Sequence, residues 1–227
     1  MWSCEFRELY LSNSSIYDFI KNLNFETPLN LRDSFYGGRT EMFQKYACRE
    51  DNIEINYYDV CSLYPYICKY GIFPIDHPEI ILNQDEMPTD FTNIVGFAKV
   101  SILAPTNLRL PLLPMKINNK LIFGLCYECM RISNPDICSH TNEQRTIKGT
   151  FTCCEIQKSL ELGYQIVKIF ELWKYPYTQF DRNTGKGGLF AGYIDQFLKL
   201  KQEASGFPSR VTTAEEKEEY IRDMEMR

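Results

Sequence analysis

Four residues in one short stretch hold the most concentrated chemistry in the chain. Cys126 and Cys129 are separated by two residues, and after an eight-residue gap comes Cys138-Ser139-His140, which holds one of only two histidines. Three thiols and an imidazole are the donors a tetrahedral Zn²⁺ takes, and a two-residue gap lets both cysteines of a turn face one ion. The gap between Cys138 and His140 is tighter than the usual three to five residues, so a pair of packed thiols with an incidental histidine is the competing reading. Cys153 and Cys154, expected on a helix just downstream, are rival ligands. The nine cysteines are an odd number in a chain whose first residues carry no secretory pattern, which favours free thiols or metal ligands over a disulfide framework.

A carboxylate is the second candidate. Ile53, Ile55 and Tyr57 alternate at period two and run directly into Asp59, so a strand is expected to deliver that side chain at its end. Ser62 is placed to cap a following helix, whose first turn tolerates Pro65. Ahead of this unit, Tyr36-Gly37-Gly38-Arg39-Thr40 reads as a loop in which paired glycines permit positive φ and close approach of another backbone. An amine is the third candidate. Phe190, Tyr193, Ile194, Phe197 and Lys201 fall at helical spacing, which predicts one stripe of a helix ending near Gly206, with Lys201 continuing the apolar face and Lys199 pointing away.

The elements that must position these groups follow from the pattern. Residues 1–34 read as short mixed elements ending in a link with Pro28 and Asn30, and residues 74–120 as strands with long connections, among them Ile94 to Val100. Thr152 and Glu155 are spaced as a capping box, Ile156 and Leu160 continue a helix, Gly163 stops it, and Tyr164 to Trp173 is expected as a buried strand.

Composition sets the class. The 227 residues are 44% hydrophobic and 14% aromatic, which is enough to build a core and too much for a disordered chain. No window has the roughly 18 apolar residues of a membrane span, so the expectation is a soluble, intracellular protein with no membrane partner and no particular compartment, the nucleus included. The net charge of −5 argues against a nucleic-acid binder, whose footprint is a basic face. Yet Thr213 to Arg227 holds six acids and three bases, whereas Lys168 to Lys201 holds six bases and three acids. A local basic strip inside an acidic chain can still steer phosphate; a merely solvated face is the competing reading.

Asp59-Val60-Cys61-Ser62-Leu63-Tyr64-Pro65 resembles the first palm motif of family B DNA polymerases, Asp-x-x-Ser-Leu-Tyr-Pro, at every fixed position. Tyr36-Gly37-Gly38, ending 21 residues before Asp59, looks like the Tyr-x-Gly-Gly loop that joins the exonuclease and polymerase regions of that family. Leu189-Phe190, Tyr193-Ile194, Phe197, Lys199 to Lys201 and Gly206 resemble the segment before the fingers motif of protein-primed members. The Cys126 to His140 cluster, with Glu143-Gln144-Arg145 and Gly163-Tyr164, looks most like polymerases of Maverick/Polinton mobile elements. The resemblance implies an α+β fold: part of a right-hand palm, an antiparallel sheet with helices, bearing an inserted Cys/His subdomain and the start of the fingers helices. It divides the chain into the end of an exonuclease region (1–34), a palm segment (35–75), an inserted terminal-protein-type region with palm strands (76–187), and a pre-fingers helix with an acidic tail (188–227).

What the resemblance implies is template-directed DNA synthesis with Mg²⁺ on a template-primer, from deoxynucleoside triphosphates, with priming from a terminal protein in this branch. Asp59 and the Val60 carbonyl would hold Mg²⁺, and Asp59 would be catalytic. Ser62, Leu63, Tyr64 and Lys201 would contact the nucleotide: the helix-start N–H groups and the lysine meet phosphate, and the Tyr64 ring lies under the sugar. Tyr36, Gly37, Gly38, Arg39 and Thr40 would contact DNA; an ordinary polar loop is the alternative. A later Asp-Thr-Asp motif, which supplies the second carboxylate, is not in the sequence. The fingers motif is missing too, and 34 residues are too few for an exonuclease. The expectation is therefore a polymerase fragment that is inactive alone. The alternative is a non-catalytic, zinc-held interaction module left by a mobile element.

Overall fold

A computed structural model describes residues 3–22, 26–49, 54–134 and 136–226. Its helices are α1 (Ser3–Ser12), α2 (Ser14–Asn22), α3 (Leu63–Tyr70), α4 (Tyr127–Ile132), α5 (Asn142–Arg145), α6 (Cys153–Glu161), α7 (Ala191–Ser205) and α8 (Ala214–Met226). The strands are β1 (Phe73–Pro74), β2 (Glu79–Ile81), β3 (Gly96–Leu103), β4 (Pro114–Ile117), β5 (Lys120–Phe123), β6 (Ile147–Thr152), β7 (Gln165–Lys174) and β8 (Tyr177–Thr178). The chain is thus a mixed α+β structure whose paired strands are antiparallel.

The body is a four-stranded sheet in the order β2-β7-β3-β6. Alternation along β3 sends Ala98, Val100 and Ile102 to one face, where they meet Ile147 and Phe151 of β6 and Ile169 and Leu172 of β7. Cys153 and Ile156 of α6, with Leu113, close this core. At about 25 cal/mol per Å² of apolar surface removed from water, each large side chain there contributes about 2 kcal/mol. Gly96 is required where it stands: a Cβ would lie 2.0 Å from the Trp173 carbonyl oxygen of the neighbouring strand.

Part of the opposite face, around Lys99 and Glu171, is covered by residues 26–35, latched by polar groups. The Leu29 N–H donates to the Glu171 carboxylate at 2.6 Å, and the Trp173 indole donates to its other oxygen at 2.7 Å. The Lys99 ammonium donates to the Thr27 carbonyl at 2.6 Å and to its hydroxyl at 2.9 Å. Lys99 and Glu171 are buried, and full pairing is what makes their burial tolerable.

Local expectations hold where the signal is local. Thr152 and Glu155 form a reciprocal capping box at the start of α6, Gly163 follows that helix at φ +87°, and α7 ends just before Gly206. β7 occupies the stretch expected to be a buried strand, but its first half is largely accessible, with Val167 60% exposed. The strand expected before Asp59 is not formed. Residues 54–60 are irregular and exposed, with Tyr57 94% accessible, and Ile53 lies outside the described residues. A strand needs a partner to absorb its N–H and C=O groups, and among the described residues no strand pairs with this segment. No helix of the described residues is long and apolar enough to cross a membrane.

Candidate functional site

The chain turns into α3 at Ser62, which sits in the left-handed region at φ +56°. Its hydroxyl makes no capping bond, contrary to the expectation from sequence, because that backbone conformation differs from the extended one of a capping serine. The N–H groups of Leu63 and Tyr64 at the first turn therefore have no side-chain cap, and Pro65 contributes no N–H. Tyr64 is 82% exposed, which excludes the core role that a tyrosine most often has. Asp59 and Val60 are exposed beside this turn.

Helix α7 packs against α3. A cleft of about 450 Å³ separates them, walled by Val60 to Leu63 on one side and Ile194 and Leu198 on the other. Across it runs an ion pair that sequence reading did not anticipate: Lys69 Nζ to Asp195 Oδ1 at 2.6 Å, with 4% and 24% of the side chains accessible. The lysine is also 5.3 Å from the Tyr70 ring centre and 5.2 Å from that of Phe180. Helical i, i+4 and i, i+3 spacing does not reveal a pair on two helices 126 residues apart.

The placement of Lys201 on a buried stripe is corrected by this packing. The face of α7 turned toward α3 carries Ala191, Ile194 and Leu198, while Phe190, Tyr193, Phe197 and Lys201 are exposed. Two apolar stripes share the helix, and the smaller residues make the contact; the tilted rings of Tyr193 and Phe197 lie 4.4 Å apart, centre to centre. Lys201 is a solvent-facing amine, as Lys199 is. Within the stretch from Lys168 to Lys201, Lys168 lies on the Phe170 ring, Lys174 faces Glu79 at 3.8 Å, and Arg182 lies on Tyr70.

The glycine loop is docked on the sheet. Tyr36 stacks on Phe151 at 5.9 Å and its hydroxyl donates to the Thr150 carbonyl at 3.3 Å; burial pushes that hydroxyl up to about 12. Gly37 adopts φ +80°, and open space surrounds it and Gly38. Arg39 is committed within the chain. Its guanidinium lies 4.0 Å from the Phe123 ring centre, donates to the Pro111 carbonyl at 2.5 Å and pairs with Glu41. Thr40 is exposed.

The cysteine cluster converges. His140 Nδ1 lies 3.4 Å from Cys126 Sγ, 3.3 Å from Cys129 Sγ and 3.6 Å from Cys138 Sγ, and all four donor atoms fall within 4.8 Å of one another. Zn–S and Zn–N bonds of about 2.3 and 2.0 Å in a tetrahedron put donors about 3.5–3.8 Å apart, so the cluster fits such an ion. Cys126 caps α4 by accepting from the Cys129 N–H at 3.4 Å, and Asn134 reaches Cys129 Sγ at 3.6 Å. Burial pushes Cys126 up to about 11, whereas the backbone N–H of His140 brings the Cys138 thiol down to about 7. Cys153 and Cys154 stand apart: Cys153 is buried in the core, Cys154 is exposed on α6, and neither belongs to the cluster. Arg145 ties the unit to the sheet by donating to the Ala104 carbonyl at 2.7 Å.

Among the described residues, no group of three metal-ligating side chains includes Asp59. One carboxylate and the Val60 carbonyl offer hard oxygens for part of a Mg²⁺ shell and no more.

A mixed α+β chain with an open helix-start motif and a Cys/His cluster can now be set beside known proteins. The family model for DNA polymerase type B, organellar and viral, matches residues 5–212, leaving only α8 and the residues at the two ends outside. The chain belongs to that family. It is also 30% identical over 118 residues to a probable DNA polymerase of Neurospora intermedia, a match covering 50% of this chain and 11% of that relative. No solved structure matches.

Proposed function

We propose that the chain is a palm-derived piece of a DNA polymerase, supplying the first metal-binding carboxylate and part of the nucleotide site for template-directed synthesis in a longer protein. The observation that supports this best is the turn at Asp59 to Tyr64, an exposed carboxylate followed by a helix start whose N–H groups have no side-chain cap. Asp59 and the Val60 carbonyl would hold Mg²⁺, which when bound would stabilise charge on the transferring phosphoryl group. The N–H groups of Leu63 and Tyr64 would meet triphosphate oxygens, and the Tyr64 ring would stand against the sugar. Tyr36 to Thr40 would lie along the template-primer, with Arg39 shaping the loop from within. Lys201 can serve phosphate only as a flexible surface amine, and priming by a terminal protein belongs to this proposal as the finer expectation for the branch. A reducing intracellular setting suits nine cysteines with no disulfide between them among the described residues.

One carboxylate does not make a two-ion clamp, so the isolated chain should not extend a primer. Extending the reading frame past Arg227 until a second carboxylate motif is included should give Mg²⁺-dependent incorporation that Asp59→Asn abolishes. Incorporation that survives Asp59→Asn would overturn the assignment, and extension by the 227-residue chain alone would overturn its inactivity.

The donor geometry at Cys126, Cys129, Cys138 and His140 favours a second reading, a zinc-held interaction module without catalysis. Metal analysis should find close to one zinc per chain, falling in Cys129→Ser. A chain that stays metal-free and melts identically in chelator would exclude it.

A further inference from the structure

The ladder between β3 and β7 shifts register twice. Lys99 pairs with Glu171 and Val100 with Ile169, which leaves Phe170 bulged between them; Ser101 then pairs with Lys168 and Ile102 with Ile166. Bulges re-aim side chains, and here an aromatic ring is only partly buried instead of joining the core. On the other side of β3, Ser101 pairs with Lys148, so Lys148 and Lys168 flank one residue in a cross-strand row on the outer face. Both ammonium groups approach the same ring, Lys148 at 4.5 Å and Lys168 at 5.0 Å from its centre.

Two like charges over one ring repel each other, and the acid paired with one of them, Glu26, is shared between Lys148 and Lys99. Glu171, held by the Leu29 and Trp173 N–H groups, keeps its charge beside Lys99. A cleft of about 260 Å³ continues from Lys148 past Lys116 to Tyr36, with Asp33 the other acid on its wall. An aromatic face flanked by ammonium groups is what a single-stranded nucleic acid uses: an unstacked base lies on the ring while its phosphates meet the cations. Duplex bases are already stacked inside the helix, and an acidic peptide has no use for the ring.

We propose that Phe170, Lys148 and Lys168 form a platform for single-stranded nucleic acid on the outer face of the sheet, continuous through the Lys116 cleft with the Tyr36 loop. The inference rests on the polymerase reading for its ligand class alone and names residues outside the motif at Asp59.

The test is fluorescence anisotropy of the 227-residue chain with a labelled oligothymidylate of about 15 nucleotides, read across a salt series. Phe170→Leu keeps the apolar volume and removes the stacking face, so it should bind about tenfold more weakly, while Phe170→Tyr should bind like the parent. Lys148→Gln with Lys168→Gln should lower the slope of log affinity against log salt by about 1.4, at about 0.7 per phosphate contact on a single strand. Lys158→Gln, on α6 and paired with Glu161, should leave the slope unchanged. Should Phe170→Leu not fold, Phe170→Tyr and the lysine pair still carry the measurement.

Unchanged affinity in Phe170→Leu, an unchanged slope in the lysine pair, or equal competition by a poly-glutamate peptide would overturn the platform. So would no binding at all. None of those results touches the Asp59→Asn incorporation assay, so the platform and the polymerase assignment fail separately.

Discussion

The sheet body and the α3–α7 region are built on opposite terms. In the body, a continuous core of buried side chains packs on one face of β3, and a polar-latched segment covers part of the other. In the α3–α7 region the helices meet through Ile194, Leu198 and one ion pair, and most of the surrounding aromatics face solvent. The residues with the most distinctive sequence thus sit on a part of the molecule packed far less than the sheet. Motif side chains such as Asp59 and Tyr64 are exposed, whereas β3 is ordinary in sequence and fixes the fold.

Substitutions should separate the two regions by size of effect. Phe151→Ala, which empties the body's core, should destabilise by about 3–5 kcal/mol in denaturant unfolding. A cost below about 1 kcal/mol would mean that the core is not close-packed. Lys69→Met leaves a partly exposed Asp195 without its ammonium and should cost about 1–3 kcal/mol, and adding Asp195→Leu should recover most of it. An additive double mutant would show that the pair does not join α3 to α7.

Alkaline pH should act on the body first. The Tyr36 hydroxyl is raised by burial from 10 to about 12, and the Cys153 thiol by burial from 9 to about 12. Both are neutral in the fold at pH values where the unfolded chain ionises. Their contribution is therefore complete below pH 9 and is withdrawn as pH climbs toward 12. Thermal midpoints should fall across that window, and Tyr36→Phe should flatten part of the fall; an identical profile would remove Tyr36 from the account. The smallest effect belongs to Tyr64→Ala, expected within about 0.5 kcal/mol of the parent because the ring is exposed. A large loss would mean that the motif helix is packed more tightly than the cleft beside it allows.

Sequence reading succeeded where the determinant is local. The Thr152–Glu155 box, the Gly163 stop and the end of α7 depend on residues within one or two turns of each other. The same signal was present and unread at Thr213 and Glu216, where mutual capping bonds start α8 in a stretch that charge counting had marked only as acidic. Convergence of Cys126, Cys129, Cys138 and His140 was legible from spacing, but the exclusion of Cys153 and Cys154 depends on which way α6 faces the core. Three things required the tertiary structure. The segment before Asp59 has strand periodicity without a strand partner. Two apolar stripes on α7 compete for one contact, which exposes Lys201. The outer-face row of Lys148, Phe170 and Lys168 exists only because β3 separates β6 from β7 and β7 is bulged.

The strand order also sets a timetable for the ribosome. β2 and β3 are made long before β7, the strand that lies between them, and the Glu171 that anchors Leu29 is made later still than Lys99. A chain emerging at about 5–20 residues per second exposes β3's apolar face for seconds before its partner exists. Pairings this distant in sequence close slowly. The nascent chain should therefore draw holdase chaperones until Lys174 has cleared the exit tunnel, and a stop codon placed inside β7 should leave an insoluble product.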